Sequence, residues 1–205
     1  MNEIQAVLFD MGGVIVQLDS LENVLGPSAL TPEEIWNAWI LSPAVQLFER
    51  GRCTVEHFAA TIVDELSLEG TAEHFIERFV AFPQGLYPGA VELVNAVPAS
   101  VITGMLSNTS SIHWENQQDA EVVQGLCERS YLSYELGLAK PEREIYDYAV
   151  ADLGLPADQV LFIDDNQINV DGAVAAGLQA GLAKGPEQAR SALLHFGVLG
   201  EPASR

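Results

Sequence analysis

Apolar residues run along this chain in two rhythms. Near the start, Ala6-Val7-Leu8-Phe9 is an unbroken apolar run that stops at Asp10, turns on Gly12-Gly13 and resumes as Val14-Ile15-Val16. A short unbroken run bounded by turn residues predicts a strand buried on both faces, as in a parallel sheet. From residue 17 to 85 the rhythm is helical. Thr31-Pro32-Glu33-Glu34 carries a Thr cap, a Pro at the first helical position and a capping-box Glu, and Ile35, Trp36, Trp39 and Ile40 follow at helical spacing. Further helices are predicted over 43–50, closed by Gly51, and over 54–66, with Phe58, Ile62, Val63 and Leu66 on one face. A fourth covers 71–82 with Phe75, Ile76 and Phe79 inward, and Pro83 and Gly85 break it. Residues 17–27 carry only turn and irregular signals, and nothing from 17 to 85 reads as a strand.

From residue 86 strands and helices alternate. Strands are predicted over 100–106, 129–134, 160–163 and 178–183, and helices over 90–97, 113–126, 141–153, 170–176 and 187–196. Residues 200–205 read as a frayed tail. Alternation of this kind predicts an α/β fold with a parallel sheet and right-handed crossovers. The expected organisation is a core from 1–16 and 86–205, interrupted by an all-helical insert over 17–85.

Composition narrows the class. The chain has 205 residues and is 48% hydrophobic, enough for one domain with an insertion and too apolar for disorder. No apolar run is long enough to span a membrane, and Met1-Asn2-Glu3 is not the basic lead-in of a secretory signal, so a soluble cytoplasmic protein is expected. The 2 cysteines, Cys53 and Cys127, form no metal-ligand pair and imply no disulfide, and the 4 histidines are too scattered for a zinc site. With 29 acidic against 9 basic residues the formal charge is −20, a field that repels nucleic acid and anionic lipid. A phosphate site in such a field needs a bound cation and local positive groups.

Four polar features fall at or just after predicted strands: Asp10 with Gly12-Gly13, Ser107-Asn108, Lys140-Pro141 and Asp164-Asp165. Parallel strands place their carboxyl ends on one edge, so these residues can converge. Singly, each has an ordinary explanation as a turn, a helix entry or a surface lysine. Together they suit phosphoryl transfer, which needs an in-line nucleophile, donors for the equatorial oxygens and a cation. Asp10 is the candidate nucleophile, Ser107 and Asn108 candidate phosphate binders, and Lys140 a point charge serving both Asp10 and phosphate. Asp10, Asp165 and the backbone carbonyl of Gly12 offer oxygen ligands of the kind Mg2+ takes, with Asp164 and Asn169 behind them.

In these motifs the chain resembles the haloacid dehalogenase (HAD) superfamily over nearly its whole length. Phe9-Asp10-Met11-Gly12-Gly13-Val14, Leu106-Ser107-Asn108-Thr109, Gly137-Leu138-Ala139-Lys140-Pro141 and Phe162-Ile163-Asp164-Asp165-Asn166 are similar to its four motifs. Tyr87-Pro88-Gly89-Ala90 resembles its re-entry into the core after a helical cap. The resemblance implies a Rossmann-like core with strand order 5-4-1-2-3 and a type-one helical cap. Within the family, Ser-Asn-Thr, Lys-Pro, Asp-Asp-Asn and Phe48-Glu49-Arg50-Gly51 are similar to alpha-D-glucose-1-phosphate phosphatases. That implies a Mg2+-dependent phosphatase of a small phosphorylated metabolite, acting through an aspartyl-phosphate on Asp10. A metal-independent 2-haloacid dehalogenase and a non-catalytic ligand- or protein-binding module are the alternatives.

One position departs from the family pattern. Most family phosphatases carry a second Asp two residues after the nucleophile as general acid and base, and here that position is Gly12. Asp19, Glu49 and His113 are the candidates for the unassigned proton transfer. Glu49 and Arg50, closing a cap helix, are expected to face the substrate. Trp36 and Trp39 are read mainly as cap packing, and Trp114 as a further candidate for the cleft.

Overall fold

The computed structural model describes residues 3–26 and 31–200; of the frayed tail expected over 200–205, residues 201–205 lie outside them. In chain order the elements are β1 (Ala6–Phe9), β2 (Val16–Leu18), α1 (Leu21–Leu25), α2 (Pro32–Leu41), α3 (Pro43–Glu49), α4 (Val55–Glu65) and α5 (Ala72–Val80). There follow β3 (Pro83–Leu86), α6 (Ala90–Asn95), β4 (Ile102–Ser107), α7 (Ser111–Asn116), α8 (Ala120–Gly125), β5 (Arg129–Leu132) and α9 (Ser133–Leu136). The chain closes with α10 (Arg143–Leu153), β6 (Val160–Asp164), α11 (Gln167–Ala176), β7 (Gln179–Leu182) and α12 (Gly185–His195).

A five-stranded parallel sheet runs β5-β4-β1-β6-β7, which is the 5-4-1-2-3 order read from its other edge. β1 is its central strand, with Phe9 in register with Met105 on one side and Ile163 on the other. The period of two explains its unbroken apolar run. Val7 and Phe9 join Met105, Leu161 and Ile163 under α6 and α12, whereas Ala6 and Leu8 join Leu106 and Phe162 under α10 and α11. Both faces are covered, so no position in β1 has solvent to face.

The insert has its own core. Thr31, Ser42, Thr54 and Thr71 cap α2 to α5, each side chain accepting from the backbone amide three residues on, and the capping box of Thr31 and Glu34 forms as expected. The helices close around Trp39, Phe48, Phe58, Phe75 and Phe79. Phe48 and Phe58 stack with ring centroids 4.3 Å apart.

Three local differences from expectation have clear causes. β2 and β3 pair antiparallel, Val16 with Leu86 and Leu18 with Pro83, so the two ends of the insert form a ribbon even though Pro83 and Gly85 are strand breakers. Residues 113–126 are not one helix: α7 and α8 are separated at Asp119, whose φ of 62° is left-handed and ends helical propagation. α1, capped by Ser20, occupies part of the stretch expected to be irregular. Among the described residues no helix is long and apolar enough to cross a membrane.

Candidate active site

β1, β4 and β6 end side by side, which brings Asp10, Ser107 and Asp164 to one edge of the sheet. The amide of Asp10 still donates to Ile163 O at 2.8 Å, and its carboxylate accepts from Met11 N at 2.7 Å. Gly13 turns the chain with φ +77°, and a Cβ there would fall on the Asp165 carboxylate. Gly12 differs: its backbone is not left-handed, and a Cβ would meet only the terminal Leu18 Cδ1 at 2.9 Å. The side chain absent at Gly12 is therefore not forbidden by the backbone, and a leucine tip fills its space.

Lys140 sits at the centre of the charge distribution. Its ammonium lies 2.8 Å from Asp10 Oδ1 and 2.6 Å from Asp164 Oδ2, with its side chain 1% exposed. Burial pulls the Lys140 ammonium down, but Asp10 and Asp164 outweigh burial and hold it above the ordinary lysine range. Burial pushes the Asp10 carboxyl up, Lys140 offsets only part of this, and Asp164 and Asp165 add like charge. Asp165 is raised for the same reasons, burial first and then Asp164.

The two adjacent aspartates have different surroundings. Asp164 accepts from Lys140, from Asn166 N at 2.8 Å and from Asn169 Nδ2 at 3.1 and 3.2 Å. It is buried and fixes the lysine. Asp165 borders the open cavity. Oxygens of Asp10, Asp164 and Asp165 lie within 4.8 Å of one another. The Lys140 ammonium pairs with two of the three carboxylates and Lys184 acts on Asp165 through charge alone, and an all-oxygen donor set suits a hard divalent cation.

Asn108 works in both directions at once. Its Oδ1 accepts from Lys140 N at 2.8 Å, and its Nδ2 donates to Lys140 O at 3.0 Å and to Glu49 Oε2 at 3.3 Å. Ser107 lies at the end of β4 and is buried; its hydroxyl has only a long contact, 3.5 Å, to Asn108 O. Thr109 and Ser110, which follow and border the cavity, have buried hydroxyls without a partner.

Cap and core enclose a cavity of about 310 Å3, with Asp10, Asn108, Lys140 and Asp165 on the core wall and Trp36, Gln46, Glu49 and Arg50 on the cap wall. The cap is latched beside it. Arg50 pairs with Glu142 at 2.7 Å, Arg52 donates to Gly137 O at 3.2 Å, and Gly51 lies so close to Tyr134 O that it has no room for a Cβ. Glu142 carried no signal of its own in the sequence beyond following Lys140-Pro141. Trp39 packs in the cap core and also borders the cavity, Trp36 is 42% exposed, and Trp114 packs against the sheet instead of lining the cleft.

The proton-transfer candidates separate clearly. Asp19 accepts from Ser20 N and Asn23 Nδ2, both at 2.7 Å, and does not border the cavity. His113 Nε2 lies 2.7 Å from Phe79 O; a carbonyl only accepts, so that nitrogen carries the proton. Burial pushes its imidazole down to about 4, and it is a neutral strut between core and cap. Glu49 alone of the three presents a carboxylate to the cavity, and burial pushes it up to about 7, with Lys140, Arg50 and the Asn108 hydrogen bond pulling it back in part.

Comparison with known proteins agrees with this architecture. A family model described as haloacid dehalogenase-like hydrolase matches residues 4–177. A D-ribitol-5-phosphate phosphatase of Bacteroides thetaiotaomicron is 24% identical over 176 residues, covering 82% of this chain and 85% of that one. A phosphatase of Mycobacterium tuberculosis is 27% identical over 200 residues, covering 93% and 92%. Among solved structures, a HAD family enzyme of Bacteroides thetaiotaomicron in complex with magnesium and inorganic phosphate superposes with a TM-score of 0.69 at 27% identity, covering 88% of this chain and 94% of that one.

Proposed function

The chain belongs to the haloacid dehalogenase-like hydrolases, and on that premise we propose that it is a Mg2+-dependent phosphatase of small phosphorylated metabolites of the sugar-phosphate type. We place it in the subfamily with the helical cap, near the glucose-1-phosphate phosphatases, with a core of 1–16 and 86–205, a cap of 17–85 and a cytoplasmic location. The observation that carries this reading is the Lys140 ammonium shared between Asp10 and Asp164, with Asp165 beside them. A carboxylate nucleophile needs a neighbour that tolerates its negative charge and an anionic substrate together, and a fixed ammonium does this. The phosphatase relatives from Bacteroides and Mycobacterium lend support.

In this reading Asp10 attacks phosphorus and becomes an aspartyl-phosphate. The Lys140 ammonium and Ser107 hold phosphoryl oxygens, and Asn108 stands beside them with its amide fixing the Lys140 backbone. Asp10, the Gly12 carbonyl and Asp165 would hold Mg2+, with Asp164 and Asn169 behind them. Bound there, Mg2+ supplies charge to offset what builds up on the transferring group. The cap wall, with Gln46, Glu49 and Arg50, receives the rest of the substrate.

The test is phosphate release from a panel containing D-ribitol 5-phosphate, glucose 1-phosphate, glycerol 3-phosphate and p-nitrophenyl phosphate. Release should require Mg2+, stop with EDTA and disappear in Asp10→Asn. Phosphate release that survives EDTA would overturn the Mg2+-dependent reading, and chloride release from 2-chloropropionate without metal would move it to a dehalogenase.

A further inference from the structure

We infer, on the aspartyl-phosphate reading above, that Glu49 is the acid–base catalyst of this chain, reaching from the cap to do what no side chain at Gly12 can. The argument starts from direction. In phosphoryl transfer the attacking and leaving oxygens lie roughly in line through phosphorus. Asp10 attacks from the core wall, so the leaving oxygen departs toward the cap. With no side chain at Gly12 to reach that oxygen from the core wall, a carboxyl group on the cap side is the one placed to protonate it.

Among the described residues that line the cavity from the cap, Glu49 has the only carboxyl group. It ends α3, and its Oε2 accepts from Asn108 Nδ2 at 3.3 Å, the amide that also holds the Lys140 backbone. One chain of contacts thus ties the position of Glu49 to that of the ammonium on Asp10. The charged groups around it are Lys140 and Arg50, with Glu142 taken up by Arg50 and with Asp10 and Asp165 on the facing wall. His113 and Asp19 are committed elsewhere, as described. A carboxyl titrating at about 7 is half protonated at neutral pH, which suits a group that gives a proton in one step and takes one in the next.

The two steps balance. As Asp10 Oδ bonds to phosphorus, the ester P–O bond breaks, its electron pair stays on the leaving oxygen, and that oxygen takes the Glu49 proton to leave as an alcohol. Water then attacks phosphorus, loses a proton to the Glu49 carboxylate, and breaks the P–O bond to Asp10. Inorganic phosphate is released, and both carboxyl groups return to their starting states.

The test exploits leaving-group basicity in Glu49→Gln, which keeps an acceptor for Asn108 but carries no exchangeable carboxyl proton. kcat/KM reports the first step, loss of the leaving group. It should fall ~10^2- to 10^4-fold on the best alkyl phosphate of the panel and stay within about threefold on p-nitrophenyl phosphate, whose phenolate needs no proton. On the alkyl ester, wild-type kcat/KM should decline as pH rises through about 7, because the acid must be protonated, and the variant should lack that decline. Glu49→Asp, with a carboxyl set back by one methylene, should recover part of the alkyl activity, and its thermal unfolding should match wild type. Equal losses on both substrates, no loss on either, or an unchanged pH profile would overturn the role of Glu49 while EDTA and Asp10→Asn still abolish turnover. No phosphate release by wild type from any substrate would overturn the phosphatase reading itself, and this role with it.

Discussion

Replacing Lys140 by Met tests the electrostatic account most directly. Methionine nearly matches the length of the lysine stem and removes the charge. The lysine side chain is 1% exposed and its ammonium lies 2.8 and 2.6 Å from Asp10 and Asp164, so the substitution removes a buried charge from two buried partners. Asp10, Asp164 and Asp165 would then face one another within 4.8 Å with no ammonium paired to any of them. Breaking a buried ion pair by removing one partner costs about 3–5 kcal/mol. With a urea slope near the top of the ~1–3 kcal/mol/M range, the unfolding midpoint at pH 7 in EDTA should fall by about 1–2 M. The pH dependence has a definite sign. Burial and like charge already raise Asp10 and Asp165, and loss of the ammonium raises Asp10 further, so the folded variant binds more protons than its unfolded chain. Its stability therefore recovers as pH falls from 7 toward 5, and the gap from wild type narrows. Urea titrations followed by circular dichroism at both pH values measure this. A loss below about 1 kcal/mol at pH 7, or one that is the same at pH 5, would refute the reasoning.

Two further substitutions probe the turn and the cap. Gly13→Ala meets both a φ of +77° and the Asp165 carboxylate, so it should cost about 1 kcal/mol or more and weaken Mg2+ binding in calorimetric titration; unchanged affinity would show that Asp165 does not depend on this turn. Phe58→Ala empties the centre of the aromatic cluster, where Phe48 stacks at 4.3 Å and Phe79 lies at 5.2 Å, and should cost about 3–5 kcal/mol. Hydrogen exchange should quicken in α2 to α5 and stay slow in β1, β4 and β6; equal quickening in both would refute a separate cap core.

The core was legible because its signals are local. An unbroken apolar run such as 160–163 has few physical solutions other than a doubly covered strand, and Asp10 and Asp164 could be placed at strand ends from that alone. What escaped depends on partners distant in sequence. Pro83 and Gly85 are poor strand residues, and only pairing with Val16–Leu18 makes them one. Asp164 and Asp165 are chemically identical as letters; their division of labour comes from Asn169, Asn166 and Lys140 around one of them. Glu49 meets Asn108 across 59 positions, so its surroundings exist only once the cap has docked. Asp119 and its left-handed φ, which divide α7 from α8, had no sequence signal strong enough to break the apolar periodicity on either side.

The ribbon of β2 and β3 has a consequence for how such a chain can be inherited. Because Val16 pairs with Leu86, the polypeptide leaves the sheet and comes back within one strand spacing, about 4.8 Å. The interruption is long in sequence and almost nil in space. A segment held at so narrow a neck can lengthen, shrink or be exchanged for another while every strand of the sheet keeps its register. The floor that gathers the carboxylates and the roof that faces it across the cavity are then free to change at different rates, and a roof grafted at this neck brings its own cavity wall with it.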